Sequence, residues 1–168
     1  EKGNYSKLHN KGTLELRNIL IATEYLPKKF LIKEGIFKIN QDKMSFNNFL
    51  AAYGQSDFRM NGYLKNVFNF VTTNTGVLRG SFTLNSTYIN VDEFMSVDSP
   101  TNNKAESTEN TTATNTPTGV IIIPANLDLK LTAHAKKVNF NELVLSESKA
   151  NLTINKGKLI LDNTSFNL

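Results

Sequence analysis

Apolar and polar residues alternate without interruption over residues 127–136. Successive side chains of a β-strand point to opposite faces of a sheet, so this period of two predicts a strand with one apolar and one hydrated face. The same alternation predicts strands over residues 12–19, 58–65 and 78–85. No long segment shows the 3.6-residue period of an amphipathic helix, and the pattern therefore indicates an all-β chain.

The alternating apolar residues have an even number at Ile32 and an odd number at Phe37, so their parity changes around Gly35. A two-residue turn at Glu34 and Gly35 would explain the change, because it brings Ile32 opposite Phe37 on one face of a hairpin. The sequence therefore predicts a hairpin over residues 30–39.

A second hairpin of the same design is predicted around Lys156 and Gly157, where Ile154 would face Leu159. Two matching hairpins far apart in the chain indicate a repetitive β-meander. Turn-forming residues predict further turns at 40–43, 54–57 and 74–76.

Three segments leave alternatives open. Residues 49–53 have apolar residues at both odd and even positions, so their face is not defined. Residues 65–72 fit either a helical turn or a strand. Residues 88–91 either extend a strand or bend away. The fold prediction is an all-β, antiparallel meander of eight to eleven strands that forms a curved, elongated sheet or β-groove. The alternative is a sheet closed as a sandwich or barrel.

Residues 99–118 differ in composition from the rest of the chain. They contain seven Thr, four Asn and two Pro, and no Leu, Ile, Val or aromatic residue. Such a segment buries too little apolar area to offset its conformational entropy, which predicts a disordered polar loop. We expect one domain, with residues 1–98 and 119–168 contributing two parts of the same sheet.

Composition narrows the functional classes. The chain has 168 residues and no cysteine, so neither a disulfide framework nor a thiolate metal site is available. The net charge of +4 comes from scattered basic residues without interleaved stacking aromatics, and we expect no nucleic-acid partner. The sequence has no run of about 18 apolar residues. Because it starts with polar residues, we expect it to be a segment whose targeting or membrane part lies upstream.

Candidate catalytic groups are sparse. His9 lies in a polar stretch, and His134 lies on the polar side of the alternating strand, where a surface role is expected. Asp92 and Glu93 are adjacent, and neighbouring strand residues point apart, so they form a poor carboxylate pair. Ser and Asp in the 54–57 segment are expected to form a turn. We predict a protein that is not an enzyme and has no cofactor or metal site.

A resemblance to a known family rests on the order of several short motifs. These are Gly-Thr-Leu-Glu-Leu at 12–16, the 30–39 segment, Gly-Gln-Ser-Asp-Phe at 54–58 with Gly-Tyr-Leu at 62–64, and Leu-Arg-Gly-Ser-Phe-Thr-Leu-Asn-Ser at 78–86. Residues 124–131 and 152–161 continue the series. Together they resemble the C-terminal region of AsmA-like proteins, relatives of TamB-type envelope proteins with a β-groove.

The resemblance implies a Gram-negative envelope protein. Such a protein would have a periplasmic β-rich body, anchored in the inner membrane by a segment outside this chain. It implies a role in phospholipid handling and outer-membrane biogenesis, with an acyl-chain ligand and neighbouring β-segments of the full-length protein as partners. No catalytic residues follow from it.

Two functions therefore stand side by side. In the first, the apolar stripes line a groove that holds hydrocarbon. In the second, they form the closed core of a structural or adhesive module with a protein or glycan partner. The predicted lining consists of Phe30, Ile32, Phe37, Ile39, Phe58, Met60, Leu64, Leu78, Phe82, Leu84, Leu127, Leu129, Leu131, Leu152, Ile154, Leu159 and Leu161.

Overall fold

The computed structural model describes residues 11–23, 26–95, 121 and 123–168, whose strands form one eight-stranded sheet in chain order. A short helix, α1 (Val67–Thr72), joins the fourth and fifth strands, and a 3₁₀ helix (Val91–Phe94) follows the fifth. The strands are β1 (Lys11–Ile21), β2 (Phe30–Asn40), β3 (Lys43–Tyr53), β4 (Ser56–Lys65), β5 (Leu78–Asn90), β6 (Leu127–Phe140), β7 (Leu143–Asn155) and β8 (Lys158–Asn167).

The prediction of an all-β meander is confirmed, with one parallel pair. β5 and β6 run parallel, with Leu78 beside Leu127, whereas the other neighbouring strands are antiparallel. β6 therefore begins at the end of the sheet where β5 begins. The sheet is not closed into a barrel, and the described residues contain no second sheet.

Short turns connect the antiparallel strands. The hairpin predicted at Lys156 and Gly157 is confirmed: both residues have positive φ angles, and Ile154 pairs with Leu159. Positive φ at both central residues is the backbone of a tight hairpin turn that matches the twist of its strands. The predicted turns at 40–43, 54–57 and 74–76 also contain turns in the structure.

The hairpin predicted at Glu34 and Gly35 is wrong. β2 runs unbroken from Phe30 to Asn40 and pairs along its length with β1. Its register with β3 shifts on both sides of Glu34. A β-bulge inserts an extra residue and moves the following side chains to the other face, so it changes parity as a two-residue turn does.

The change of parity is a property of the sheet and not only of β2. β1, β3, β7 and β8 each contain one residue with positive φ inside the strand, namely Asn18, Asn48, Glu147 and Asn163. The register shifts beside Asn48 between β3 and β4, and between Ser146 and Asn151 in the pairing of β7 with β8. Asn tolerates this backbone conformation better than most residues, which explains its use at three of the four sites.

The segments with open alternatives are resolved. Residues 67–72 form α1, and the fifth strand extends to Asn90 before the 3₁₀ helix bends the chain away. In residues 49–53, Phe49, Ala51 and Tyr53 are buried, because the bulge at Asn48 brings them to the same face as Phe46. The 99–118 segment predicted to be disordered lies outside the described residues.

Close approach of the backbone requires glycine at position 80. A Cβ atom there would lie 2.6 Å from the carbonyl oxygen of Tyr63 and 2.8 Å from Cδ2 of Leu64. We expect Gly80→Ala to lower the free energy of unfolding by about 1–3 kcal/mol, the usual cost of overpacking, as measured by urea denaturation.

Gly12 is the matched control for this substitution, since a Cβ there would meet no atom within 4 Å. Gly12→Ala should leave the free energy of unfolding unchanged or raise it by about 0.4–1 kcal/mol, because alanine lowers the conformational entropy of the unfolded chain. Equal effects of the two substitutions would contradict the close approach at Gly80.

Candidate functional site

Apolar residues form two unbroken rows across all eight strands. Side chains paired in register lie on the same face of a sheet, so each row is one line of neighbouring positions. Apolar row 1 consists of Gly12, Ile39, Met44, Leu64, Gly80, Leu129, Ile154 and Leu159. Apolar row 2 consists of Leu14, Phe37, Phe46, Gly62, Phe82, Leu131, Leu152 and Leu161.

Ten of the predicted lining residues belong to these two rows. Register and packing place the other seven on the same face: Leu78 and Leu127 at one end, and Phe30, Ile32, Phe58, Met60 and Leu84 towards the other. The structure therefore brings the whole predicted set together, and their role in lining a groove stays a prediction.

Several residues of this face were not predicted from the sequence. Phe49, Ala51 and Tyr53 are buried in the same cluster as Phe37 and Phe46. The signal that could have located them is Asn48, because an asparagine between two apolar residues of opposite parity is compatible with a bulge.

The two halves of the apolar face differ in composition and burial. In β2–β5 the rings of Phe37, Phe46 and Phe49 lie 5.5–5.8 Å apart, and the Phe82 ring lies 6.1 Å from Phe46. Such edge-on and tilted contacts are favourable for aromatic rings and cover much of their apolar area. Gly62 pairs with both Phe46 and Phe82, which leaves room for the two rings to meet.

The half formed by β6–β8 is aliphatic and more open. Leu129 is buried, Leu131, Leu152 and Ile154 are half-buried, and Leu161 on the last strand is 55% exposed. On the opposite edge, Leu14 of β1 is 41% exposed. Within the described residues, no second layer covers these side chains.

One end of the aromatic half is covered by the 3₁₀ helix. The Phe94 ring stacks on Tyr53 at 4.4 Å, and Tyr53 is fully buried. The Tyr53 hydroxyl donates to the Glu93 carbonyl oxygen and accepts from the Lys28 backbone N–H, each at 3.0 Å. The Glu93 carboxylate accepts from Lys28 Nζ at 2.6 Å and from the Gln55 backbone N–H at 2.9 Å. These bonds hold the 3₁₀ helix on the sheet.

The neighbouring acidic residue also binds backbone. One carboxylate oxygen of Asp92 accepts from the backbone N–H of Asn141 at 2.9 Å, which ties the 3₁₀ helix to the turn between β6 and β7. Asp92 and Glu93 thus contact different partners on different elements. The geometry is that of two structural anchors and not of a carboxylate pair.

Asp57 and Ser56 likewise hold the last residues of β5. The Asp57 carboxylate accepts from the backbone N–H groups of Tyr88 at 2.8 Å and Thr87 at 3.0 Å, and the Ser56 hydroxyl oxygen accepts from the N–H of Asn90 at 3.0 Å. Burial acts to raise the pKa of Asp57, but the hydrogen bonds from Tyr88, Thr87 and Ser86 outweigh it and hold the pKa below its usual value.

We expect Asp57 to contribute to acid sensitivity. A carboxyl whose pKa is lower in the folded state stabilises the fold above its unfolded pKa of about 3.9, and this contribution is lost as the pH falls through the folded pKa. Asp57→Asn should therefore be less stable than the unchanged protein at pH 7, with the difference shrinking below about pH 4. Urea denaturation across this range measures the difference.

Asp162→Asn is the control, because Asp162 is exposed on β8. Its stability at pH 7 should be close to that of the unchanged protein. A constant difference between Asp57→Asn and the unchanged protein down to pH 2 would contradict the role of the Asp57 charge.

The described residues offer little else to catalysis. His134 lies on the polar face, with Nε2 3.3 Å from a carboxylate oxygen of Glu147, and His9 lies outside the described residues. No group of three or more His, Cys, Asp or Glu able to hold a metal ion occurs in the part of the chain that the structure describes. Among the same residues, no helix is long and apolar enough to cross a membrane.

Comparison with known proteins adds no assignment. No family model, curated protein or solved structure matches the chain. The apolar face is therefore the structural feature that bears most directly on function.

Proposed function

We propose that this chain is a non-catalytic, lipid-handling segment whose apolar face holds the acyl chains of a phospholipid. The observation that carries the proposal is the pair of apolar rows, which cross eight strands with no second layer over them in the described residues. Leu14 and Leu161 at the two edges of the face are exposed, and exposed apolar groups that continue one apolar face are typical of a binding site.

The driving force would be the hydrophobic effect. Each methylene group that leaves water for an apolar surface contributes about 0.8 kcal/mol, and no specific polar contact is required along the chain. The aliphatic side chains of β6–β8, with Leu161 the most exposed of apolar row 2, would be the first to contact an acyl chain. The aromatic cluster of β2–β5 would serve as the packed support.

The resemblance to AsmA-like proteins supports the same proposal. It points to a periplasmic segment, joined to the inner membrane by a part of the protein outside this chain and engaged in outer-membrane biogenesis. Within the described residues, β1 and β8 each have one edge without a paired strand. Neighbouring β-segments of the full-length protein are the proposed partners of these edges, since an open edge favours strand addition.

An adhesive or structural module is the weaker candidate. It would need a closed core, and the described sheet is open. No contact in the structure favours a glycan or protein ligand, and we do not propose one.

Native mass spectrometry of the gently purified protein, followed by lipid extraction, tests the proposal. We expect phospholipid to be retained and to exchange with fluorescent phospholipid supplied in vesicles. Protein that carries no phospholipid and takes up none from vesicles would overturn the proposal.

A further inference from the structure

A row of charged residues crosses the sheet at the end where α1 lies. The row occupies the polar face beside apolar row 1, one residue closer to the strand ends. This charged row consists of Lys11, Asn40, Lys43, Lys65, Arg79, Asp128, Asn155 and Lys158. It contains five cations and one carboxylate, that of Asp128, which lies 3.7 Å from Arg79.

Three cations of this row are direct neighbours. Lys43 pairs with Lys65, and Lys65 pairs with Arg79. Adjacent strands lie about 4.8 Å apart, and like charges directly opposite each other destabilise a sheet. Nζ of Lys43 lies 4.5 Å from the Tyr63 ring centroid, and the carboxylate of Asp128 lies beside Arg79. Among the described residues, Lys43 and Lys65 form no salt bridge that would offset the repulsion. An anionic surface would supply the missing charge.

More cations surround the charged row. The next row on the same face contributes Lys38 and Lys130, and the adjacent turns contribute Lys156 and one carboxylate, Asp42; all four are exposed. Within the described ranges, the opposite end of the sheet carries four lysines and four carboxylates, so its charges nearly balance: Lys28, Lys29, Lys136 and Lys137 with Asp57, Asp92, Glu93 and Glu142. The positive charge is therefore concentrated at the end with α1.

Exposed apolar side chains accompany the cations. In α1, Phe68 is 51% exposed and Val71 is 74% exposed, and three residues apart on a helix they lie on one side. The helix is held to this end because the N–H of Asn66 donates to the carbonyl oxygen of Asp42 at 3.1 Å. Exposed aromatic and aliphatic groups beside lysines are typical of segments that insert at a membrane interface.

We propose that this end of the sheet docks on a bilayer surface that contains anionic phospholipid. Lys43, Lys65 and Arg79 would contact the head groups, and Phe68 and Val71 would enter the boundary with the acyl chains. Apolar row 1 begins directly behind the charged row, so docking would bring the apolar face to the lipid. What happens to the lipid after docking rests on the proposed function, whereas docking itself is measured in a separate experiment.

Vesicle co-sedimentation tests the docking. Vesicles of phosphatidylcholine are compared with equimolar phosphatidylcholine and phosphatidylglycerol, and we expect binding to the second that weakens as salt is raised. Each basic residue near an anionic surface raises partitioning roughly fivefold, so Lys43→Gln with Lys65→Gln should lower binding about 25-fold. Phe68→Ser should lower binding to the same vesicles several-fold.

Matched control variants show whether vesicle binding depends on the position of the lysines or only on the net charge of the protein. Lys33→Gln with Lys136→Gln changes two exposed lysines away from this end, and Phe166→Ser changes a ring that is 48% exposed on β8. Both controls should bind as the unchanged protein does. Equal loss in the controls, equal binding to both kinds of vesicle, or binding to a DNA duplex in preference to anionic vesicles would overturn the docking proposal.

The docking variants also distinguish the two proposals. Lys43→Gln with Lys65→Gln should leave the phospholipid retained by the purified protein unchanged, because neither side chain lies on the apolar face. Retention without vesicle docking would overturn the docking inference alone. Docking without either retention or uptake of phospholipid would overturn the proposed function and leave the docking inference standing.

Discussion

Leu161→Asp is expected to lower phospholipid affinity about fiftyfold. The side chain lies in apolar row 2 beside Leu152 and is 55% exposed, so a carboxylate there would enter the proposed path of the acyl chains. Losing the burial of about three methylene groups at about 0.8 kcal/mol each corresponds to this factor. Titration with a fluorescent phospholipid measures the affinity, and mass spectrometry measures the lipid retained after purification.

Ile160→Asp is the control for this substitution. Ile160 is the preceding residue of the same strand, is 47% exposed, and pairs with Thr153 on the opposite face. The substitution Ile160→Asp introduces the same charge at a position of nearly the same exposure, and it should leave the phospholipid affinity unchanged. If both variants lose lipid equally, the apolar face is not the binding surface.

Phe46→Ala is expected to have the largest effect on stability, about 3–5 kcal/mol. The ring is 6% exposed and contacts the rings of Phe37, Phe49 and Phe82. Its paired neighbour Gly62 has no side chain that could fill the space left by the ring. Domains are commonly stable by only 5–15 kcal/mol, so the loss should be visible as a lower Tm and a lower urea midpoint.

Phe166→Ala is the control, because it removes a phenyl ring that lies outside the aromatic cluster. It tests whether the loss of stability in Phe46→Ala comes from the cluster and not from the loss of any phenyl ring. The Phe166 ring is 48% exposed on the edge strand β8, and we expect a change of less than about 1 kcal/mol. A change for Phe46→Ala as small as that for Phe166→Ala would show that the aromatic cluster does not support the sheet.

The predicted hairpin at Glu34 and Gly35 shows where local patterns are ambiguous. A two-residue turn and a β-bulge both reverse the parity of apolar residues, so the alternation around Gly35 cannot distinguish them. At Lys156 and Gly157 the same pattern belongs to a turn, with positive φ at both residues. At Gly35 it belongs to a bulge, because β2 pairs continuously with the full-length strand β1.

The candidate site was predictable to the extent that it depends on alternation. Within a regular strand segment, alternation determines which side chains share a face, and the seventeen predicted lining residues lie on one face. Phe30 and Ile32 share that face with Phe37 because of the bulge around Glu34, and not because of the predicted turn. Residues near the bulges, such as Phe49 and Tyr53, were not recovered, since the register shift at Asn48 depends on pairing with β4. The charged row could not be predicted either, because Lys43, Lys65 and Arg79 become neighbours only through strand pairing.

The amino-acid sequence by itself determined the all-β class, most of the strands, and most of the residues that form the apolar face. These are local properties, since a period of two is a consequence of strand geometry alone. Only the tertiary structure decided that the sheet stays open, that β5 and β6 run parallel, and that positive charge collects at one end. These features depend on which strands pair and in what register, and pairing is settled by contacts between residues distant in the chain.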